Sequence, residues 1–184
     1  NCPASLFGAE PIESAKKAVK SCMNLTSFPC AQMTNTHTQY VHDFAKRTLS
    51  LTLSVQYMST GKEVNDLRCV AADIAESIKR ELPENADFFQ TIAAYQGWLS
   101  RFFVYKKTGA ARDHAAVGLL QTRQGVCQAI AALSMVILPH LGVFTRYVCG
   151  EGYSGADWGP HAWNAVLVPN GVWHQVDFTF GLHR

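Results

Sequence analysis

Residues 160–178 read PHAWNAVLVPNGVWHQVDF, two apolar runs set around Pro169-Asn170-Gly171. Val, Leu and Trp in short runs bounded by turn formers mark two β-strands, 161–168 and 172–178, joined as a hairpin. The loop decides the register. A two-residue loop, Asn170-Gly171, pairs Pro169 with Val172 and sends His161 and Asp177 to opposite faces. A three-residue loop pairs Val168 with Val172 instead. His161, Trp163, Ala165 and Leu167 then share a face with Trp173, Gln175, Asp177 and Thr179, and His161 lies one diagonal step from Asp177. The residue types favour this second loop, because Pro suits position i+1 of a type I turn, Asn tolerates the next, and Gly takes the left-handed bulge position. An Asp inside an apolar strand is costly unless partnered. An imidazole N–H meets that need and fixes the tautomer of a general base.

A base needs a nucleophile, and the run just upstream offers one. Gln124-Gly125 precedes Val126–Leu138, an apolar stretch too long and too Ala-rich for a strand. It reads as a buried helix with Cys127 in its first turn, ended or kinked by Pro139. The unpaired N–H groups and dipole of a helix start favour a thiolate, and the N–H of Cys127 itself could face a developing oxyanion. Gly125 lets the chain turn sharply into that helix. Taken alone, this segment fits an inert core cysteine as well as a nucleophile. Among the other histidines, His37 and His42 lie in a polar stretch, His114 in a connector, His140 beyond Pro139 and His183 at the chain end; His174, within the hairpin, is the competing base.

Working outward, residues 11–23 read as a short helix and 24–39 as a polar, Thr- and Pro-rich loop. Alternation from Lys46 to Met58 marks a half-buried strand closed by Gly61. Apolar residues at helical spacing mark helices from Val64 to Ile78, ending before Pro83, and from Phe88 to Phe103, followed by a short helical piece over 115–120. Residues 143–149 are β-rich, and 150–160 read as a Gly-rich loop in which Tyr153 and Trp158 offer aromatic surface for a peptide. Helices first and an antiparallel meander last indicate an α+β fold. No repeat or low-complexity linker divides the chain, so 1–184 reads as one domain: an N-terminal extension over 1–60 and a core over 61–184.

These motifs together narrow the family. Gly125-Val126-Cys127-Gln128, then His161-Ala162-Trp163-Asn164, then Trp173 and Val176-Asp177-Phe178-Thr179, resemble the transglutaminase core superfamily, especially its bacterial transglutaminase-like members. The likeness extends to Leu141-Gly142-Val143 and Cys149-Gly150-Glu151-Gly152, and covers roughly residues 100–181. It implies a papain-like α+β fold, with the Cys at a helix N-terminus packed on a C-terminal antiparallel sheet. It also implies a triad of Cys127, His161 and Asp177, with acyl-enzyme chemistry on a peptide or protein amide and no cofactor. Tyr105 matches an aromatic position common upstream of the nucleophile in bacterial relatives, and Gln121 has the spacing seen in papain-like proteases; both are oxyanion candidates. Tyr153, Trp158 and Trp163 are the expected cleft residues. Residues 1–60 match no family pattern, and the chain ends only seven residues after Asp177. Three functions follow: a cysteine peptidase or amidase, an amine-accepting transglutaminase, or a silent binding module on the same fold.

Composition sets the outer bounds. The chain has 184 residues, 48% hydrophobic and 16% charged, with net charge +2, enough to bury a core and far from a disordered composition. Lys16-Lys17 and Lys106-Lys107 are the densest basic stretches, too short for a nucleic-acid face. No acidic cluster has calcium spacing and none of the six cysteines has zinc spacing, so no metal is expected. Cys2, Cys22 and Cys30 could hold a disulfide in an exported protein; Cys69 and Cys149 sit in apolar segments and are expected in the core. No apolar run reaches the roughly 18–20 residues of a transmembrane helix. The chain begins at Asn1 rather than Met, which reads as a processed or trimmed chain with any leader already gone. The lean is toward a secreted or cell-surface location.

Overall fold

The computed structural model describes residues 2–3, 13, 33–43, 45–153 and 157–182. The chain forms two compact units, Asn1–Leu25 with Met33–Tyr57, and Thr26–Gln32 with Met58–Arg184. The helix expected over 11–23 lies outside the described residues except for Glu13, which is helical.

The first unit holds a three-stranded antiparallel sheet in the order β1-β3-β2, with β1 Cys2–Pro3, β2 Met33–Asp43 and β3 Thr48–Tyr57. The alternating run expected as a strand is β3. The polar stretch expected as loop is corrected from Met33 onward: it pairs along β3 with Thr38 opposite Leu53. Thr34, Thr36, Thr38 and Tyr40 suit an extended chain, and pairing supplies what hydrophobic patterning does not. Burial fades along β3, from Leu49 at 3% exposure to Tyr57 at 52%.

The second unit opens with two capped helices. Helix α1, Gly61–Glu81, begins at a capping box in which the Thr60 side chain accepts from Glu63 N and Glu63 reaches back to Thr60 N. Helix α2, Phe88–Phe102, repeats the device with Asp87 and Gln90. Leu67, Ala71, Ala75 and Ile78 of α1 and Tyr95, Trp98 and Leu99 of α2 are buried, on the stripes their spacing predicts. After them come β4 (Val104–Tyr105), the short helix α3 (Ala116–Thr122), β5 (Gln124–Gly125) and helix α4 (Cys127–Ile137). Helix α4 is buried nearly throughout. Its Ser134 is tolerated at 0% exposure because its hydroxyl donates to Ile130 O (2.9 Å) and accepts from Tyr95 Oη (2.9 Å). Pro139 converts the helix end to a 3-10 turn closed by Gly142 at φ 79°.

The sheet follows: β6 Thr145–Tyr153, β7 Trp158–Leu167 and β8 Trp173–Val176, antiparallel in that order. Ala162, Asn164 and Val166 of β7 are buried, and Asn164 Nδ2 donates to Ala131 O of α4 at 3.1 Å, so this face packs on the helix. The result is the α+β arrangement read from the sequence, helices against a C-terminal antiparallel sheet. The expected 150–160 loop is corrected. Strands β6 and β7 pair out to Tyr153 opposite Trp158. Cys69 and Cys149, expected in the core, are both exposed. Among the described residues, no helix is long and apolar enough to cross a membrane.

Candidate active site

Cys127 is the first residue of α4, after Val126 in extended conformation. Its position is fixed by the strand before it. Tyr105 of β4 pairs in parallel with Gly125 of β5, and Lys106 N donates to Gly125 O at 2.9 Å. Val126 N donates to Asp113 O at 2.9 Å, tying the helix entrance to the connector. A side chain at Gly125 would meet Leu119 Cδ1 at 3.0 Å and Asp113 O at 3.1 Å, so glycine here permits close packing. The Asp113 carboxylate accepts from Thr108 N (2.5 Å), Thr108 Oγ1 (2.8 Å) and Gly109 N (3.0 Å). Burial opposes its charge, but these hydrogen bonds outweigh burial and hold the carboxyl below its ordinary range. Next to the thiol, Gln128 bonds His114 Nδ1 and the Tyr147 hydroxyl. Burial pushes the Tyr147 phenol up, with the nearby Cys149 and Cys127 adding to it, so Tyr147 stays protonated. Cys127 itself is 7% exposed.

The second half of the site comes from the hairpin. Leu167 pairs with Trp173, Gly171 N donates to Val168 O (2.9 Å), and Gly171 has φ 83°, which is the three-residue loop the residue types predict. In that register His161 Nε2 meets Asp177 Oδ2 at 2.5 Å, each side chain 19% exposed. The other carboxylate oxygen of Asp177 accepts from Thr179 N at 2.9 Å, starting the 3-10 turn Phe178–Gly181. The imidazole stacks on Trp163, with centroids 5.7 Å apart and planes 22° apart, and also touches Phe180, with centroids 6.2 Å apart. Trp163 is held in turn by Nε1 donating to Gln175 Oε1.

What lies beneath these rings explains the glycines of β6. A Cβ at Gly152 would stand 2.8 Å from His161 Cβ and 2.9 Å from Cγ, and one at Gly150 would stand 3.0 Å from Trp163 Cη2. Gly150 and Gly152 thus have a packing role, in which two flat side chains lie over positions of β6 that carry no side chain.

His161 opens into a cleft of about 230 Å³ lined also by Tyr105, Tyr153, Asp157, Trp158, Thr179 and Phe180. Of the residues read from the sequence, Tyr105, Tyr153, Trp158 and His161 line this cleft, and Asp177 stands behind His161. Trp163 is not on the wall; it packs against the imidazole. Gln121 is exposed, its Oε1 accepting from Arg112 Nη1 at 2.7 Å, and takes no part in the cleft. His174 is exposed on β8. Cys127 and His161 are not hydrogen-bonded to each other. Sequence reasoning did not place Asp157, Thr179 and Phe180 in the cleft, although Thr179 ends the Val176-Asp177-Phe178-Thr179 motif and Phe180 directly follows it.

A model of the transglutaminase-like superfamily matches residues 72–178, more than half of the chain. The chain belongs to the transglutaminase-like superfamily. Two solved structures agree on the fold. A crystal structure of a TGase matches with TM-score 0.54 at 12% identity, over 90% of this chain and 47% of that one. A candidate cysteine protease from Cytophaga hutchinsonii matches with TM-score 0.50 at 13% identity, over 80% and 65%. The periplasmic domain of TgpA from Pseudomonas aeruginosa bound to ethylmercury matches with TM-score 0.48 at 17% identity, over 73% and 57%. The chain thus spans about half to two thirds of the length of these structures. No curated protein sequence matches it significantly. The superfamily fold is one that generally carries cysteine-based catalysis.

Proposed function

We propose that this chain is a cysteine-dependent acyl-transfer enzyme that hydrolyses peptide or amide bonds, with Cys127 as nucleophile, His161 as base and Asp177 orienting the base. The observation that carries this reading is the His161 Nε2–Asp177 Oδ2 contact of 2.5 Å beside an open cleft. With Nε2 engaged, Nδ1 is the nitrogen left to exchange a proton with a thiol. Tyr105 connects the two halves, since it pairs with Gly125, two residues before Cys127, and lines the cleft with His161.

In the proposed cycle, His161 Nδ1 takes the thiol proton and the Cys127 thiolate attacks the amide carbonyl. The oxyanion faces N–H groups at the start of α4. His161 returns the proton to the leaving amine, and a thioester remains. Water, deprotonated by the same imidazole, then releases the acid. The thiol–imidazole hydrogen bond forms when substrate closes the site, as catalytic hydrogen bonds commonly do. Hydrolysis is favoured over transfer to an amine because the cleft is wet: Trp158 is 70% exposed and Phe180 66%.

Alkylation with iodoacetamide from pH 5 to 9, followed by peptide mapping, tests this. Cys127 should react faster at pH 6 than the exposed Cys69 and Cys149, and His161→Ala should abolish that advantage. Faster labelling of Cys69 or Cys149, or a Cys127 rate indifferent to His161, would overturn the assignment.

A further inference from the structure

The walls of the cleft beside His161 carry exposed aromatic rings. Three large rings, Tyr153 at 53% exposure, Trp158 at 70% and Phe180 at 66%, gather around one opening. Tyr153 and Trp158 form a cross-strand pair with centroids 5.7 Å apart and planes inclined at 46°, so their faces form a V rather than closing on each other. Rings so exposed leave apolar area in water that burial elsewhere would remove, and their clustering at one cavity marks a binding surface. The charge pattern adds direction. The chain carries net charge +2, yet among the described residues the cleft lining includes Asp157 and no Lys or Arg.

Aromatic faces carry negative quadrupole potential and attract cations within about 6 Å of the ring centre. A neutral apolar side chain would gain from the rings but nothing from Asp157, and an anion would be repelled by both. We infer that this cleft is a cation-accepting subsite, which holds a lysine- or arginine-type side chain of the amide substrate against Tyr153, Trp158 and Phe180, with the charged end toward Asp157. The aliphatic stem of such a side chain covers the rings while its head stays partly hydrated, which an open cleft permits. The inference rests on the proposed hydrolase reading in that the bound group is a substrate side chain; the binding surface is described without it. Asp157 and Trp158 would be specificity residues, separate from the Cys127, His161 and Asp177 chemistry.

Binding to the Cys127→Ser protein separates this idea from turnover. The probes are acetyl-Gly-Lys-Gly-amide, its Arg counterpart, the norleucine peptide that keeps the stem without the charge, and the Glu peptide. Binding is read by the NMR shift of the Trp158 indole N–H at low salt. The Lys and Arg peptides should bind roughly tenfold more tightly than the norleucine peptide, the sum of a cation–π contact and a partly screened charge, and the Glu peptide should bind least. Asp157→Asn should bring Lys and norleucine within a few-fold of each other. Trp158→Leu should remove the Lys preference while keeping norleucine binding. Equal binding of Lys and norleucine by the parent protein, a Lys preference unchanged in both variants, or shifts that bypass Trp158 would overturn the subsite. Thiol reactivity is measured separately, so a failed hydrolase reading would show there while the peptide preference persisted.

Discussion

Gly152→Ala adds a single methyl group to the strand facing His161, and the structure gives the size of the collision. The new carbon would fall 2.8 Å from His161 Cβ and 2.9 Å from Cγ and Cδ2. Carbon atoms rest at about 3.5–4.0 Å, so the imidazole must retreat by roughly 0.7–1 Å. Asp177 cannot follow freely, because Thr179 N holds its other oxygen at 2.9 Å. The 2.5 Å Nε2–Oδ2 contact would then stretch to the edge of hydrogen bonding. Misplacement on the order of 1 Å costs about 100-fold in rate. Stability should suffer less: overpacking costs about 1–3 kcal/mol, offset by the roughly 0.5–1 kcal/mol that Ala gains over Gly in a strand. The control sits directly opposite. Gly159 is the cross-strand partner of Gly152, and a Cβ there meets nothing within 4 Å. The assay is Cys127 alkylation at pH 6. Gly152→Ala should slow it about 100-fold, with Gly159→Ala behaving like the parent. Unchanged reactivity in Gly152→Ala, or equal damage in both, would refute the reasoning.

Other outcomes follow from the same geometry. Asp177→Asn should leave the melting temperature nearly unchanged, since an amide oxygen still accepts from Thr179 N, yet lower amide hydrolysis by about 10³–10⁴-fold by freeing the imidazole tautomer. Deleting Gly171 should slip the β7–β8 register by one residue and turn Asp177 away from His161, abolishing Cys127 reactivity while far-UV circular dichroism stays close to native. The Asp113 carboxyl is held below its ordinary range, so its stabilisation is present above the unfolded pKa of about 3.9 and is lost as pH falls through the folded value. Asp113→Asn should therefore cost about 1–3 kcal/mol at neutral pH and progressively less as the medium is acidified below the unfolded value, measured by urea titrations over a series of falling pH.

Period and turn chemistry carried most of this fold. The stripes of α1 and α2, the Ala-rich run of α4 and the loop at Pro169-Asn170-Gly171 are local signals, and each appears in the structure as an element of the expected type. The His161–Asp177 contact was legible for the same reason, as loop length alone sets which residues share a face. Strand β2 was not legible, because Met33–Asp43 is polar on both faces and is specified by its partner β3. The glycines at 150 and 152 misled in the other direction. Their role depends on rings that arrive from β7, and no local rule anticipates that. Cys69 was readable in principle, since it lies two residues from Leu67 and from Ala71 and so off the buried stripe of α1. The contact of Gln121 with Arg112 depends on the turn between them, which its spacing from Cys127 does not describe.

The join between Tyr105 and Gly125 is only two residues long, held by Val104 N to Arg123 O at 3.0 Å and Lys106 N to Gly125 O at 2.9 Å. Opening so short a ladder requires no global unfolding, so the amides of Val104 and Lys106 should exchange with solvent through a local event of their own. Their deuterium uptake would then act as a gauge of how firmly the Cys127 end of α4 is seated. A peptide that shields these two amides would be reporting that it has tightened the join between the α2 side of the molecule and the thiol.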